Sequence, residues 1–208
     1  MEEWKKLEDT IIISEFLAAA EAGDIDTLQR FLQQGVDINA RNKQKRTAIL
    51  LAAMSDQLET VKFLIQEGAD INLQDQICLN PFLYGCINGK LELVKIMLQA
   101  NTDLERLTRF GGVGVHPASE KGFVEVVREL VTTTDINVNH TNICGWTPLI
   151  EAILLNDGGE KQQEIVRLLV EHGADTQLVD QYGVTPLAIA REKGFTAIEN
   201  ILLEAGAK

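Results

Sequence analysis

Residues 147–156 read TPLIEAILLN and residues 185–194 read TPLAIAREKG, and these two phrases decide the fold. Each opens on Thr-Pro, continues through an apolar run with Ala at a small-residue slot, and ends in a polar or Gly-bearing turn. Working outward, SEFLAAAEAG (14–23), TAILLAAMSD (47–56), NPFLYGCING (80–89) and VGVHPASEKG (113–122) are variants of the same phrase. Their starting points are 33, 33, 33, 34 and 38 residues apart. A period near 33 that fills almost the whole chain marks one supersecondary unit stacked on itself. Each unit is too small to bury its own apolar face, so only the stack has a core.

The phrase predicts a short helix. Pro186 fits the first helical position because its missing N–H would be unpaired there, and the Thr185 hydroxyl can cap that helix. Leu187, Ala190 and Arg191 follow at helical spacing, and Gly194 ends the helix. A second helix runs through Ile165, Val166, Leu168 and Leu169, whose spacing puts them on one face. Its expected stop is Gly173, in a left-handed conformation that closes a helix C-terminus. Gly35, Gly68 and Gly206 share that slot, and Asn101 takes it in the third copy. Asp37 with Asn39, and Asp70 with Asn72, then supply turn chemistry before the next helix pair.

Composition narrows the function classes. The formal charge of −12 argues against general nucleic-acid binding, because phosphate affinity comes from clustered Lys and Arg. Cys78, Cys86 and Cys144 are odd in number and form no CxxC pair, so a disulfide framework is not expected. No apolar run approaches the ~20 residues that cross a bilayer, and the N-terminus does not read as a signal peptide. The expectation is a cytoplasmic monomer without membrane insertion, built as one stack without a linker.

The phrases TPLIEA, TPLAIA, LLVEHGAD and LIQEGADINLQD resemble ankyrin repeats over residues 14–208. The resemblance implies an all-α solenoid of stacked helix-turn-helix units, with β-hairpin-like finger loops projecting from one edge. Residues 1–13 are expected as an N-terminal extension or cap. The single repeat domain then spans 14–208, with repeats at about 14–42, 43–75, 76–108, 109–142, 143–180 and 181–208. Trp4, Leu7 and Ile11 form a possible apolar stripe in the extension, suited to covering the open end of the stack or to docking.

Several positions depart from the family pattern. The full Thr-Pro-Leu-His phrase is absent: Thr147 and Thr185 keep Thr-Pro with Ile150 and Ala188 in the His slot, while His116 follows Val113. The fourth copy has Gly114 where Pro would start the helix, Pro117 further in, and Thr132, Thr133 and Thr134 without a Gly stop. A delayed or distorted inner helix and weaker local protection are expected there. The fifth copy carries a five-residue insertion around residues 156–162, read as length drift or as a partner contact.

No constellation for catalysis emerges, and no cofactor, metal or small-molecule substrate is expected. His116 sits in the structural slot, His140 in a turn, and His172 on the last turn of an outer helix where positive character suits the helix dipole. None is spaced with Cys or carboxylate as metal ligation requires. The GGVG at 111–114 lacks the Gly-Lys-Ser/Thr of a phosphate loop and reads as a finger turn.

The surface is more informative. The resemblance places recognition on the fingers and the exposed side of the inner helices. Candidate protein-binding residues are Arg41, Lys43, Lys45, Arg46, Ile77, Leu79, Arg109, Phe110, Ile143, Trp146 and Tyr182. Aromatics on loops are frequent binding hot spots, although Trp before Thr-Pro also serves to pack a finger. The fingers are net basic on an acidic chain, which implies a protein partner with an acidic patch and some exposed apolar surface. Two alternatives stand beside this scaffold reading: polyanion binding (nucleic acid or an acidic surface) through the first and third fingers, and a hydrolase or metal-dependent enzyme.

Overall fold

A computed structural model describes the backbone of residues 2–208 and the side chains from Thr10 onward. Trp4 and Leu7 of the proposed stripe therefore lie outside the described side chains, while Ile11 is exposed. The described residues form twelve helices and no strand longer than the isolated bridge between Arg41 and Thr47. In chain order they are α1 (Glu2–Ala22), α2 (Ile25–Gln33), α3 (Ala48–Met54), α4 (Leu58–Gln66), α5 (Pro81–Asn88), α6 (Leu91–Gln99), α7 (Val115–Glu120), α8 (Val124–Thr133), α9 (Pro148–Leu154), α10 (Glu160–Glu171), α11 (Pro186–Glu192) and α12 (Thr196–Glu204). Odd-numbered helices carry the phrase read from the sequence; even-numbered helices carry the second apolar run.

Two compact units result. The first comprises residues up to Gly85 with Glu92–Asp103, and the second Cys86–Leu91 with Leu104–Lys208. In the first unit α1 packs on α2 and α3, and α3 on α4. Its core is filled by Phe16, Leu28, Ile49, Leu50, Leu64, Phe82 and Met97, all fully buried. In the second unit α9 lies between α7 and α11, and α10 between α8 and α12, so inner and outer helices form separate layers. Leu130, Leu149, Ile150, Val166, Leu169, Ile198 and Leu202 are fully buried there. The small-residue slots hold Ala52, Ala53, Cys86, Ala118, Ala152 and Ala190, each at 0% exposure. Burial pushes the Cys86 thiol well above its ordinary range, so it stays a neutral packing group. All three cysteines are free.

The punctuation residues behave as their chemistry dictates. Thr47, Thr147 and Thr185 accept from the backbone N–H three residues on, at 3.4, 3.3 and 3.2 Å, and Asn80 does so at 2.8 Å. The outer-helix stops Gly35, Gly68, Gly173 and Gly206 have φ between 86° and 92°, and Asn101 has φ 56°. His172 Nδ1 donates to the Leu168 carbonyl at 2.8 Å, supporting a last-turn carbonyl.

The irregular fourth copy is delayed as anticipated: α7 starts at Val115 and has six residues. Without a left-handed stop, α8 runs to Thr133 and leaves through Thr134 in extended conformation. The Thr132, Thr133 and Thr134 hydroxyls each donate to the carbonyl four residues back, at 2.7, 2.7 and 2.6 Å. The insertion in the fifth copy is only partly a loop, because Glu160–Gln162 belong to α10, which has twelve residues. The turn glycine is simply displaced: Gly158 lies under the Phe195 ring as Gly89 lies under Phe123, and a Cβ on either would come within 2.7 Å of the ring.

Candidate functional site: the finger edge

Five finger turns share one construction. Asn42, Asp75, Thr108, Asn142 and Asp180 stand at equivalent positions, five residues before the residue that starts each inner-helix phrase. Asp75 Oδ1 accepts from the N–H of Ile77 and Leu79 at 2.9 and 3.0 Å. Asn42 Oδ1 accepts from Gln44 and Arg46, Asn142 Oδ1 from Cys144 and Trp146, and Asp180 Oδ1 from Tyr182 and Val184. Thr108 makes only one such bond, to the Gly112 N–H at 3.2 Å. The tip then closes through a left-handed residue: Lys45, Cys78, Gly111, Gly145 or Gly183, with φ between 62° and 77°. The GGVG segment is therefore a finger turn. Neighbouring fingers are tied by backbone bonds, Gln76 N–H to Gln44 O and Ile143 N–H to Phe110 O, both 3.0 Å.

A second set of side chains joins consecutive repeats below the fingers. Asn39 Oδ1 accepts from Asp70 N–H, Asn72 Oδ1 from Asp103 N–H, and Asn139 Oδ1 from Asp175 N–H, at 2.8–2.9 Å. Asn39, Asn72 and Asn139 thus do more than shape their own turns: each bonds the backbone of the next repeat.

On these fingers the candidate residues separate into three groups. Tyr182, Ile143, Phe110 and Ile77 are 78%, 70%, 54% and 40% exposed. Arg109 stacks over the Phe110 ring, 4.6 Å from its centroid, an arrangement that supports a cation–π attraction. Arg41, Lys43 and Lys45 are exposed and carry no ion pair among the described residues. Leu79, Trp146 and Arg46 are half-buried. Arg46 Nε lies 3.2 Å from Asp75 Oδ2, whose side chain is fully enclosed, so the second finger neutralises one of the first finger's four charges. The Trp146 indole Nε1 is buried without a partner, which sets the ring partly into the finger base.

Below the fourth finger sits Glu151, 7% exposed, accepting from Asn142 Nδ2 at 2.6 Å with its second oxygen buried and unpartnered. Burial and the nearby Glu120 push its carboxyl up to about 7. His116 is 2% exposed and bonds the Trp146 carbonyl through Nε2 at 3.2 Å. Since a carbonyl only accepts, Nε2 carries the proton, and the buried Nδ1 is unpartnered. Burial drives its pKa down to about 4. His140 meets the His116 ring edge-on at 5.7 Å and bonds the Gly111 carbonyl at 2.8 Å. Both histidines are thus bonded to finger backbone. Among the described residues no group of three His, Cys, Asp or Glu could hold a metal ion.

The sequence reading missed the Asx side chains that staple the fingers, and it missed the exposed Leu107 and Val179 just before two of those staples. An Asn or Asp five residues ahead of the helix-capping residue was the available signal.

The comparisons with known proteins agree with this architecture. The model for ankyrin repeats (3 copies) matches residues 16–108 and 115–208. The chain is 56% identical to the ankyrin repeat protein YahD of Escherichia coli (strain K12), over 93% of this chain and 96% of the relative. An ankyrin repeat domain from Acinetobacter baumannii AYE superposes with a TM-score of 0.89 at 40% identity, covering 93% of this chain and 98% of that one. The ankyrin repeat protein EF0377 superposes with a TM-score of 0.85 at 35% identity, covering 93% and 97%. No described helix is long and apolar enough to cross a membrane. Helix pairs, capped phrases and stapled fingers all converge on one conclusion: the chain belongs to the ankyrin-repeat family.

Proposed function

We propose that the chain is a non-catalytic, cytoplasmic scaffold that holds a partner protein on its fingers and inner helices as a monomer, and thereby inhibits, tethers or protects it. The observation that carries this reading is the exposure of Tyr182, Ile143 and Phe110 on finger turns whose backbone N–H groups bond the side chains of Asp180, Asn142 and Thr108. A solvated loop gains nothing from a 78% exposed ring, whereas rigid aromatics with little entropy to lose are effective anchors at interfaces. Arg41, Lys43 and Lys45, which carry no ion pair among the described residues, add a steering charge for an acidic partner, acting mainly on the rate of encounter.

Affinity capture from a native lysate tests this with the wild type beside Phe110→Ala/Ile143→Ser/Tyr182→Ala. A protein retained by the wild type and lost by the triple variant at unchanged helical content is the expected result. Equal retention by both removes the finger edge from consideration. Arg46 is left intact in such variants, since its loss would strand the enclosed Asp75 carboxylate.

A further inference from the structure

The first unit holds a groove where the first finger faces helix α1. Helix α1 has 21 residues, whereas α3 has seven. Thr10, Ile13, Ser14, Leu17, Ala18 and Glu21 follow the helical repeat along one stripe of α1 and form one wall. The opposite wall is the first finger, through Arg41, Asn42, Lys43 and Gln44, and Leu51 of α3 lies between them. The groove encloses about 500 Å³ and is open to solvent, which is room for several side chains of a segment laid along it.

We infer that this groove is a docking site for an acidic peptide segment of a partner protein, with a large apolar side chain seated between Ile13, Leu17, Ala18 and Leu51 and carboxylates facing Arg41 and Lys43. Three physical points lead there. The apolar wall is continuous with the core: Leu17 is 4% and Leu51 8% exposed, so a seated side chain extends packing that already exists. The finger wall is cationic, on a chain whose net charge is −12. Arg41 and Lys43 are exposed without an ion pair among the described residues, so a partner carboxylate gains their charge without displacing one. Glu21, at the far end of the stripe, disfavours a segment acidic along its whole length and so sets a polarity. The inference rests on the scaffold reading above and adds the chemistry of one ligand, and it gives the stripe of α1 from Thr10 to Glu21 a role as a groove wall.

The test is selection of a random twelve-residue peptide library displayed on phage against the full chain. Titrations of the enriched peptides then use the wild type, Arg41→Glu/Lys43→Glu, and Ala18→Arg. Ala18 is exposed, and Arg is a good helix former, so the last variant fills the groove without opening the core. Circular dichroism confirms that each variant keeps its helices. Enriched peptides should combine Asp or Glu with Leu, Phe or Trp, bind each variant at least tenfold more weakly, and lose affinity as salt rises. Neutral or basic peptides, no enrichment, or equal binding to all three proteins overturns the inference. Peptides that ignore both variants but fail on Phe110→Ala/Ile143→Ser/Tyr182→Ala overturn the groove while leaving the finger reading intact. Loss of lysate capture by that triple variant, in turn, does not depend on the groove.

Discussion

The fourth and fifth repeats share one unit and one fold, yet they secure their inner helices by opposite means. In the fifth, Thr147 caps α9, Pro148 occupies its first position, and only then does a single ionisable group, Glu151, enter the interior. In the fourth, α7 starts late behind an uncapped Gly114, and the buried His116 bonds the base of the next finger. One repeat is held by local capping and the other by a side chain reaching into its neighbour. The contrast teaches that this stack tolerates a weak local helix where an interface bond replaces it, and each repeat then carries its own buried titratable group as a liability.

The largest expected effect comes from the fifth repeat. In the folded chain Glu151 titrates near 7, against 4.5 for an unperturbed Glu. Between those values the unfolded chain gives up its proton while the folded one keeps it, so stability present below pH 4.5 is lost as pH rises toward 7. The difference converts to a cost of about 3 kcal/mol above pH 7. Glu151→Gln keeps an oxygen for Asn142 and removes the charge, so it should be more stable than the wild type by that order at pH 8 and nearly equal at pH 4.5. Urea unfolding at the two pH values measures this, and a pH-independent difference breaks the comparison.

His116 runs the other way. Its folded value of about 4 lies below the ordinary 6.5, so the unfolded chain takes up a proton first on acidification. The stability it contributes is whole above pH 6.5 and is lost as pH falls toward 4, by about 2 kcal/mol at pH 5. His116→Gln should therefore flatten the acid side of the stability profile relative to the wild type, while losing some stability at neutral pH through the weakened bond to Trp146. Between pH 4.5 and 6.5 the two groups oppose each other. In Glu151→Gln, removal of one ramp should expose the other as a steeper loss on acidification.

Much of this architecture was legible because its determinants are local. A left-handed stop needs Gly or Asn, and Gly35, Gly68, Asn101, Gly173 and Gly206 all took that conformation; a cap needs Thr or Asn ahead of a helix, and Thr47, Asn80, Thr147 and Thr185 supplied it. What the sequence concealed depends on distance between repeats. Arg46 reads as a free cation until Asp75, 29 residues later, is seen beside it. Glu151 went unremarked in the sequence because the groups that set its state, Asn142 of the fourth finger and the charge of Glu120, lie off its own helix. The groove beside α1 was hidden for the same reason, since one wall comes from residues 10–21 and the other from residues 41–44.

The smallest effect lies in backbone protection. Helix α7 has six residues and no side-chain cap, so its opening forfeits few local bonds; α9 is capped by Thr147 and lies between α7 and α11. Local opening free energies follow such differences in capping and packing. Amides at residues 113–122 should exchange faster than those at 147–155 under conditions where the whole chain remains folded. His116→Gln should widen that gap, because it weakens the bond tying α7 to the next finger, whereas Glu151→Gln should slow exchange at 147–155 only. Equal protection in the two segments would mean that the interface bond of His116 fully replaces a cap, and local capping would then have no measurable bearing on how this unit opens.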